Sequence, residues 1–261
     1  MRIGAFYYET KDYPRALEWY EKALVVNREV GNRAWEGRSL SLIAQFYFGQ
    51  KEYEKVIEFH NQALPMLRES QIRALEAFSL RDIALAYSNL KKYDQAIEFY
   101  QQALPVLREI KNRELEANTL VMMGINYSFQ QKYEQATKSQ EQALAIAREI
   151  NNKPLEANIL VLMAGNYASL NKRDRSIKLY QQALAIQREL KNPSAQAEIL
   201  NSLLQQYSIK AMNLSEKGLS AQAKVEYNRI IELAEETLTL ARELKNRSEE
   251  RRVGKECRSR W

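Results

Sequence analysis

A unit of 40 residues recurs along most of this chain and restricts its fold more than any other feature. Three landmarks return at this spacing: an Ala-Leu pair, a tyrosine, and an Arg-Glu pair that begins at residues 28, 68, 108, 148 and 188. The alanines are Ala23, Ala63, Ala103, Ala143 and Ala183, and the tyrosines are Tyr7, Tyr47, Tyr87, Tyr127, Tyr167 and Tyr207. Such a period indicates stacked copies of one supersecondary unit, each burying its apolar face against its neighbours. Function is then expected to lie in a surface and not in a catalytic cluster.

Each copy is predicted to be a pair of antiparallel helices. In residues 115–150, apolar and small side chains recur at steps of three and four, which is typical of amphipathic helices. The pattern breaks at residues 130–132, so one helix ends and a second begins there. Asn112, Asn152 and Asn192 follow the second helix of their copies, and we expect them to adopt the left-handed conformation that ends a helix. The chain is therefore predicted to be an all-α solenoid of about six hairpins.

The predicted hairpins cover residues 1–246, and the sixth is longer than the others. Residues 227–247 align with residues 93–113 at a separation of three periods plus 14 residues. Fourteen residues are almost four helical turns, and the simplest division adds about seven to each helix. The turn is then expected at residues 217–220, with Ser220 as the N-cap. The approximate hairpin boundaries are 1–30, 34–70, 74–110, 114–150, 154–190 and 194–246.

The projecting part of the sixth hairpin, at about residues 205–230, has two interpretations. Its apolar residues are Ile209, Met212, Leu214, Leu219 and Val225. They either pair with one another inside the hairpin or form an exposed element that docks a partner.

The last segment, residues 247–261, lacks apolar periodicity. It resembles the translation of a sequencing-library adapter and is left out of the fold prediction, the alternative being a disordered basic tail. Residues 248–261 contain five Lys/Arg and three Asp/Glu, so the formal charge of +6 becomes 34 − 30, or +4, without them. Met1 aligns with the interior of a first helix, and neither end has a polar capping repeat. We therefore expect the chain to be a fragment of a longer protein.

Composition argues against several functional classes. One cysteine excludes an internal disulfide framework and a cysteine-based zinc site. His60, the only histidine, stands where other copies have Tyr20, Tyr100 and Tyr180, which predicts a packed ring. No phosphate-binding loop, nucleophile elbow or acid pair is found, so no catalytic residue, metal ligand or cofactor is predicted. The absence of an export signal or a membrane-length apolar run predicts a cytoplasmic protein without a membrane partner.

The positions that repeat most strictly carry a family resemblance. In the complete copies a small residue (Ala44, Ala84, Gly124 or Ala164) precedes the tyrosine by three, and an alanine follows in the second helix; Leu204 replaces the small residue in the sixth copy. At these positions the chain resembles the tetratricopeptide repeat family in its long-period, kinesin-light-chain-like form. Its second helices are most similar to those of cyanobacterial repeat arrays, which often precede a caspase-like peptidase or another effector domain. The resemblance implies a right-handed superhelix and a protein-interaction scaffold, here the sensor or adaptor part of a larger protein.

In this family the first helices line a concave groove that holds a peptide or a partner helix. The resemblance implies that the groove includes Arg38, Ser41, Gln45, Phe48, Phe78, Arg81, Leu85, Asn89, Asn118, Val121, Ile125, Phe129, Asn158, Val161 and Ser169. The family's carboxylate clamp needs a lysine and an asparagine one turn apart. Because Leu85 follows Arg81 by one turn, chaperone C-terminal tails are not the expected ligand.

A nucleic-acid-binding regulator is the alternative function. Some helical-repeat proteins read RNA with a polar code at one repeated position. The candidate position here reads Ser41, Arg81, Val121, Val161 and Asn201, which is no code. A charge of +4 is also low for a protein that tracks phosphates. Nucleic acid is therefore the less favoured partner.

Overall fold

The computed structural model describes residues 2–258, with side chains except those of residues 243, 244 and 246–258. Within residues 2–258 it contains twelve α-helices and no strand, which confirms the predicted all-α array of helix hairpins. The described residues divide into two compact units, unit 1 up to residue 146 and unit 2 from residue 147. The helices are α1 (Arg2–Glu9), α2 (Tyr13–Glu29), α3 (Arg33–Gly49), α4 (Tyr53–Glu69), α5 (Arg73–Asn89), α6 (Tyr93–Glu109), α7 (Arg113–Phe129), α8 (Tyr133–Glu149), α9 (Lys153–Ser169), α10 (Arg173–Glu189), α11 (Pro193–Glu216) and α12 (Ser220–Arg258).

The 40-residue period consists of two similar halves. Helices α2–α10 contain 17 residues each, and turns of three residues separate them. The middle residue of every turn has a φ between 51° and 65°, in the left-handed region. In the turn after α6, for example, Lys111 N donates to Arg108 O at 3.0 Å and Asn112 N donates to Leu107 O at 3.0 Å. This pattern satisfies carbonyls that the end of a helix leaves unpaired.

The prediction that asparagines end the second helices was wrong. Asn32, Asn112, Asn152 and Asn192 are the last residues of their turns and cap the following helix. Their Oδ1 atoms accept the backbone N–H of the residue three positions later, at 3.0–3.2 Å. The left-handed position belongs to the preceding residue, which is Gly31 in one turn and Lys, Gln or Asn in the others. Asparagine is placed third because an N-cap needs a short side chain with an acceptor.

Replacing a left-handed lysine with glycine should stabilise the chain. A left-handed conformation costs a residue with a Cβ about 1 kcal/mol, a penalty that glycine avoids. We expect Lys111→Gly to raise the melting temperature by about 2–4 °C, measured by circular dichroism. The control is Lys138→Gly, on an exposed face inside α8, which should lower it by a similar amount because glycine weakens a helix interior. A lower melting temperature for Lys111→Gly would contradict the turn geometry.

The core of unit 1 lies between successive hairpins. Leu40, Ile43 and Leu67 form one buried cluster, and Leu80, Ile83 and Leu107 belong to a second. Small residues set the spacing of the paired helices. At Gly124 a Cβ would lie 2.9 Å from Gln140 Cγ and 3.2 Å from Ala136 O, so α7 and α8 require glycine to pack this closely.

Unit 2 contains the longer sixth hairpin. Helix α11 has 24 residues, seven more than each of the helices α2–α10, and the turn to α12 places Gly218 at a φ of 73°. Of the five apolar residues that project, Ile209 and Leu214 are half-buried, whereas Met212, Leu219 and Val225 are exposed. Helix α12 continues to Arg258, into the segment that was left out of the fold prediction, through helix-forming Glu, Arg and Lys residues. The rest of that segment, residues 259–261, lies outside the described residues.

Candidate interaction surface

The first helices of successive hairpins lie side by side in unit 1. Helix α3 contacts α5, and Ser41 Oγ lies 3.4 Å from Ser79 Oγ between them. Helix α7 follows α5 by the same 40-residue step by which α5 follows α3. Because residues three and four apart share one side of a helix, we infer from this period that the outward sides of α3, α5 and α7 form a single surface. We call it the first-helix face, and it contains Arg38, Leu42, Gln45, Phe78, Arg81, Asp82, Leu85, Asn118, Met122 and Ile125.

Most of the predicted groove residues of unit 1 reach the surface. Arg38, Gln45, Asn89 and Phe129 are exposed, and Phe48, Phe78, Arg81, Leu85, Asn118 and Ile125 are half-buried. Ser41 and Val121 are not accessible, since each is only 5% exposed. Ser41 faces the adjacent first helix, and its Oγ donates to Gly37 O at 3.0 Å. In unit 2, Asn158 and Ser169 are exposed and Val161 is half-buried.

Several predicted residues already have partners within the chain. The guanidinium of Arg38 lies 5.3 Å from the centre of the Trp35 ring, and Asn89 Nδ2 donates to Leu85 O at 2.8 Å. Phe129 stacks on Tyr93, with ring centres 5.2 Å apart. Asn89 and Phe129 are the last residues of α5 and α7. They therefore lie at the edge of the face, and the middle of the surface belongs to the residues on the inner turns.

Asp82 is a member of this surface that the sequence analysis missed. Its carboxylate Oδ2 lies 3.5 Å from Nε2 of the completely buried His60. Burial raises the pKa of the neighbouring Tyr100 hydroxyl, Arg81 partly opposes the shift and Asp82 adds to it, so Tyr100 remains a protonated phenol. The sequence contained a signal: positions 42, 122 and 162 are Leu, Met and Leu, and Asp82 is the only acidic residue among the equivalent positions.

Four buried glutamates, which the sequence analysis also missed, join consecutive hairpins. Glu36, Glu76, Glu116 and Glu156 are 2–7% exposed and each accepts hydrogen bonds from two cations. For Glu76 the donors are Arg68 Nε at 2.8 Å and Arg73 Nη1 at 2.7 Å. Burial alone would raise the pKa of Glu76, but the hydrogen bonds and charges of the two arginines outweigh it, and the pKa lies below its ordinary value. The same balance lowers the pKa of Glu156, beside Arg148 and Lys153.

A cleft of about 700 Å³ lies among α10, α11 and α12 in unit 2. Its polar walls are internally paired: Lys210 Nζ lies 2.7 Å from Asp174 and 3.1 Å from Glu226, and Arg229 Nη1 lies 3.2 Å from Glu226. Tyr207 Oη accepts a hydrogen bond from Gln181 Nε2 at 3.0 Å. Lys178, Arg188 and Glu232 also line the cleft, so its lining contains four cations and two carboxylates.

The described residues contain neither a candidate metal site nor a candidate membrane span. Within the described part of the chain, no three His, Cys, Asp or Glu side chains are placed so that they could share a metal ion. None of the helices, over the residues described, combines the length and apolarity that crossing a bilayer requires.

Comparison with known proteins identifies the repeat. The sequence matches the family described as "Tetratricopeptide repeat" over residues 1–69, 75–149 and 115–189. A comparison with characterised proteins finds no significant match.

Three solved structures illustrate the similarity of fold. A putative kinesin light chain repeat protein from Podosopora anserina is 16% identical, with a TM-score of 0.61 over 73% of this chain and 94% of that one. The tetratricopeptide-sensor STAND signal transduction ATPase of Pyrococcus horikoshii is 15% identical, with a TM-score of 0.72 over 90% of this chain and 36% of that one. A Rap protein complexed with Competence and Sporulation Factor is 14% identical, with a TM-score of 0.55 over 91% of this chain and 74% of that one. At these identities the similarity shows a shared fold alone.

Proposed function

Because the chain belongs to the tetratricopeptide repeat family, we propose that it is a non-catalytic scaffold that binds an extended peptide or a partner helix along its first-helix face. The supporting observation is a strip of half-buried apolar side chains on neighbouring first helices. Phe78 and Leu85 lie on α5, and Met122 and Ile125 lie on α7. Apolar contacts of this kind supply affinity, and the adjacent polar groups orient the ligand.

The proposal extends to the place of the chain in a larger protein. It would be the sensor or adaptor part of a cytoplasmic protein whose effector domain follows the repeats. The Pyrococcus horikoshii ATPase is described as having a tetratricopeptide repeat sensor, which supports this role. The Rap protein was solved in complex with Competence and Sporulation Factor, which supports a bound regulatory partner. A complete gene that ends soon after residue 246 would contradict the presence of the effector domain.

Nucleic acid remains the less favoured ligand. On the first-helix face the positive charge of Arg81 is followed directly by the negative charge of Asp82. A surface that tracks phosphates needs an unbroken run of cations, and none joins Arg38 to Arg81 on this face.

Selection of random-sequence peptides tests the proposed function. The immobilised chain is exposed to a displayed library, and bound peptides are recovered and sequenced. We expect enriched peptides that carry two or more apolar residues, because the strip on α5 and α7 offers two apolar contact areas. Recovery of no peptide above the level of an empty support would contradict the proposal.

A further inference from the structure

One charged pair lies within the apolar strip of the first-helix face. At the position of Asp82 the neighbouring first helices have Leu42 and Met122, and at the position of Arg81 they have Ser41 and Val121. Phe78 and Leu85 lie one turn before and one turn after the pair on the same side of α5. A partner that covers the strip therefore also covers Arg81 and Asp82 and removes them from water.

Among the described residues, several buried polar atoms in and beneath the pair lack hydrogen-bond partners. Both ring nitrogens of His60, Nε of Arg81 and Oη of Tyr100 are buried, and among the described residues none of these atoms has a hydrogen-bond partner. The distance of 3.5 Å between His60 Nε2 and Asp82 Oδ2 is too long for a well-formed bond. Arg81 is half-buried and the side chain of Asp82 is 16% exposed, so both offer part of their polar groups at the surface. Buried polar atoms in native structures are normally satisfied by protein, water or ligand.

The charge of this site selects among ligands. The positive charge of Arg81 and the negative charge of Asp82 oppose each other, so an acidic or a basic ligand group would gain from one and lose with the other. A neutral group that both accepts and donates hydrogen bonds satisfies both side chains. The carboxamide of asparagine or glutamine has one oxygen acceptor and two N–H donors in a single plane.

We propose that Arg81 and Asp82 bind the carboxamide of an asparagine or glutamine in the peptide held by the first-helix face. Arg81 donates to the carboxamide oxygen, and Asp82 accepts from its amino group. The buried ring of His60 lies beneath Asp82. This assignment rests on the proposed peptide-binding function and names the polar residue that such a peptide carries.

The apolar surroundings give the contact its selectivity. Once Phe78 and Leu85 are covered, a leucine or a methionine opposite the pair would leave Arg81 and Asp82 without partners. Leaving buried polar groups unsatisfied is more costly than the net gain from one hydrogen bond. We therefore expect peptides with asparagine or glutamine at one position to bind about tenfold more tightly than the same peptides with leucine there.

The repeat itself supplies the matched variant. Arg81→Val combined with Asp82→Met installs the residues that α7 carries at the equivalent positions, Val121 and Met122. The double variant should therefore fold, which a thermal melt checks. The peptide selection is carried out on the original chain and on this variant in parallel, with the same library of random-sequence peptides.

Enrichment of asparagine or glutamine at one position with the original chain, and loss of that enrichment with the double variant, is the expected result. Peptides enriched instead for Asp, Glu, Lys, Arg or apolar residues at that position would overturn the assignment while leaving peptide binding intact. The assignment would also be overturned if asparagine or glutamine stayed enriched with the double variant. It would likewise be overturned if no position of the selected peptides were enriched for a polar residue. Failure to select any peptide is the distinct result that overturns the proposed function together with this assignment.

Discussion

Removing the buried carboxylate at a hairpin junction should destabilise the array. We expect Glu76→Gln to lower the free energy of unfolding by about 1–2 kcal/mol at pH 7, since two charge-assisted hydrogen bonds weaken together. The expected loss of free energy is this small because the side chains of Arg68 and Arg73 are 49% and 41% exposed. Both guanidinium groups can form hydrogen bonds with water once the carboxylate is lost. Urea unfolding monitored by circular dichroism gives the measurement.

The matched control is Glu109→Gln. Glu109 accepts from Arg73 Nε at 3.2 Å, but its side chain is 56% exposed. An exposed pair contributes little, so this variant should differ from the original chain by less than about 0.5 kcal/mol. Equal effects of Glu76→Gln and Glu109→Gln would show that burial of the junction carboxylate contributes nothing.

The effect of Glu76→Gln should also depend on pH. Burial raises the pKa of Glu76, but the hydrogen bonds and charges of Arg68 and Arg73 lower it by more. The pKa of Glu76 in the folded chain therefore lies below its ordinary value. The carboxylate therefore contributes its full stabilisation above the ordinary glutamate pKa and loses it as the pH falls through the lowered value. At still lower pH the side chain is protonated in both states, and the original chain and the Gln variant should unfold at nearly the same urea concentration. A difference between them that grows in acid would contradict this sign.

Truncating the apolar strip should abolish tight peptide binding. Phe78→Ala combined with Ile125→Ala removes one anchor from α5 and one from α7. We expect a peptide selected on the original chain to bind this variant about a hundredfold more weakly, as two interface anchors each contribute about tenfold. Both residues are half-buried, and alanine favours helix, so the variant should keep its helical circular-dichroism signal.

The sequence was sufficient for the hairpins because period and turn chemistry agree. Apolar positions at helical spacing indicated two helices per copy, and the extra 14 residues placed the last turn where Gly218 adopts its positive φ. The sequence was not sufficient to predict that the asparagines cap the helix that follows them. An asparagine between two helices can end the first or cap the second, and only the turn length distinguishes the two.

The surface was harder to predict because pairing and burial depend on neighbouring copies. Arg68 bonds to Glu76 across a turn, and Arg73 bonds to Glu109 in another helix. Read along one helix, such charges look like a solvated face. Ser41 was predicted to line the groove, but its side of α3 is closed by Ser79 of the next first helix. The equivalent positions of the copies were compared in order to find a polar residue that repeats. Asp82 was missed by this comparison because it does the opposite and replaces an apolar residue that repeats in the neighbouring copies.

Isothermal titration of one selected peptide into three versions of the chain tests the central proposal most directly. These are the original chain, the Phe78→Ala/Ile125→Ala variant, and a control, Val25→Ala/Val26→Ala, whose two valines are 53% and 54% exposed on the second helix α2 and are not part of the first-helix face. The proposal predicts a Kd raised about a hundredfold in the first variant and unchanged in the control. An unchanged Kd for Phe78→Ala/Ile125→Ala, or an equal loss in both variants, would show that the peptide binds elsewhere.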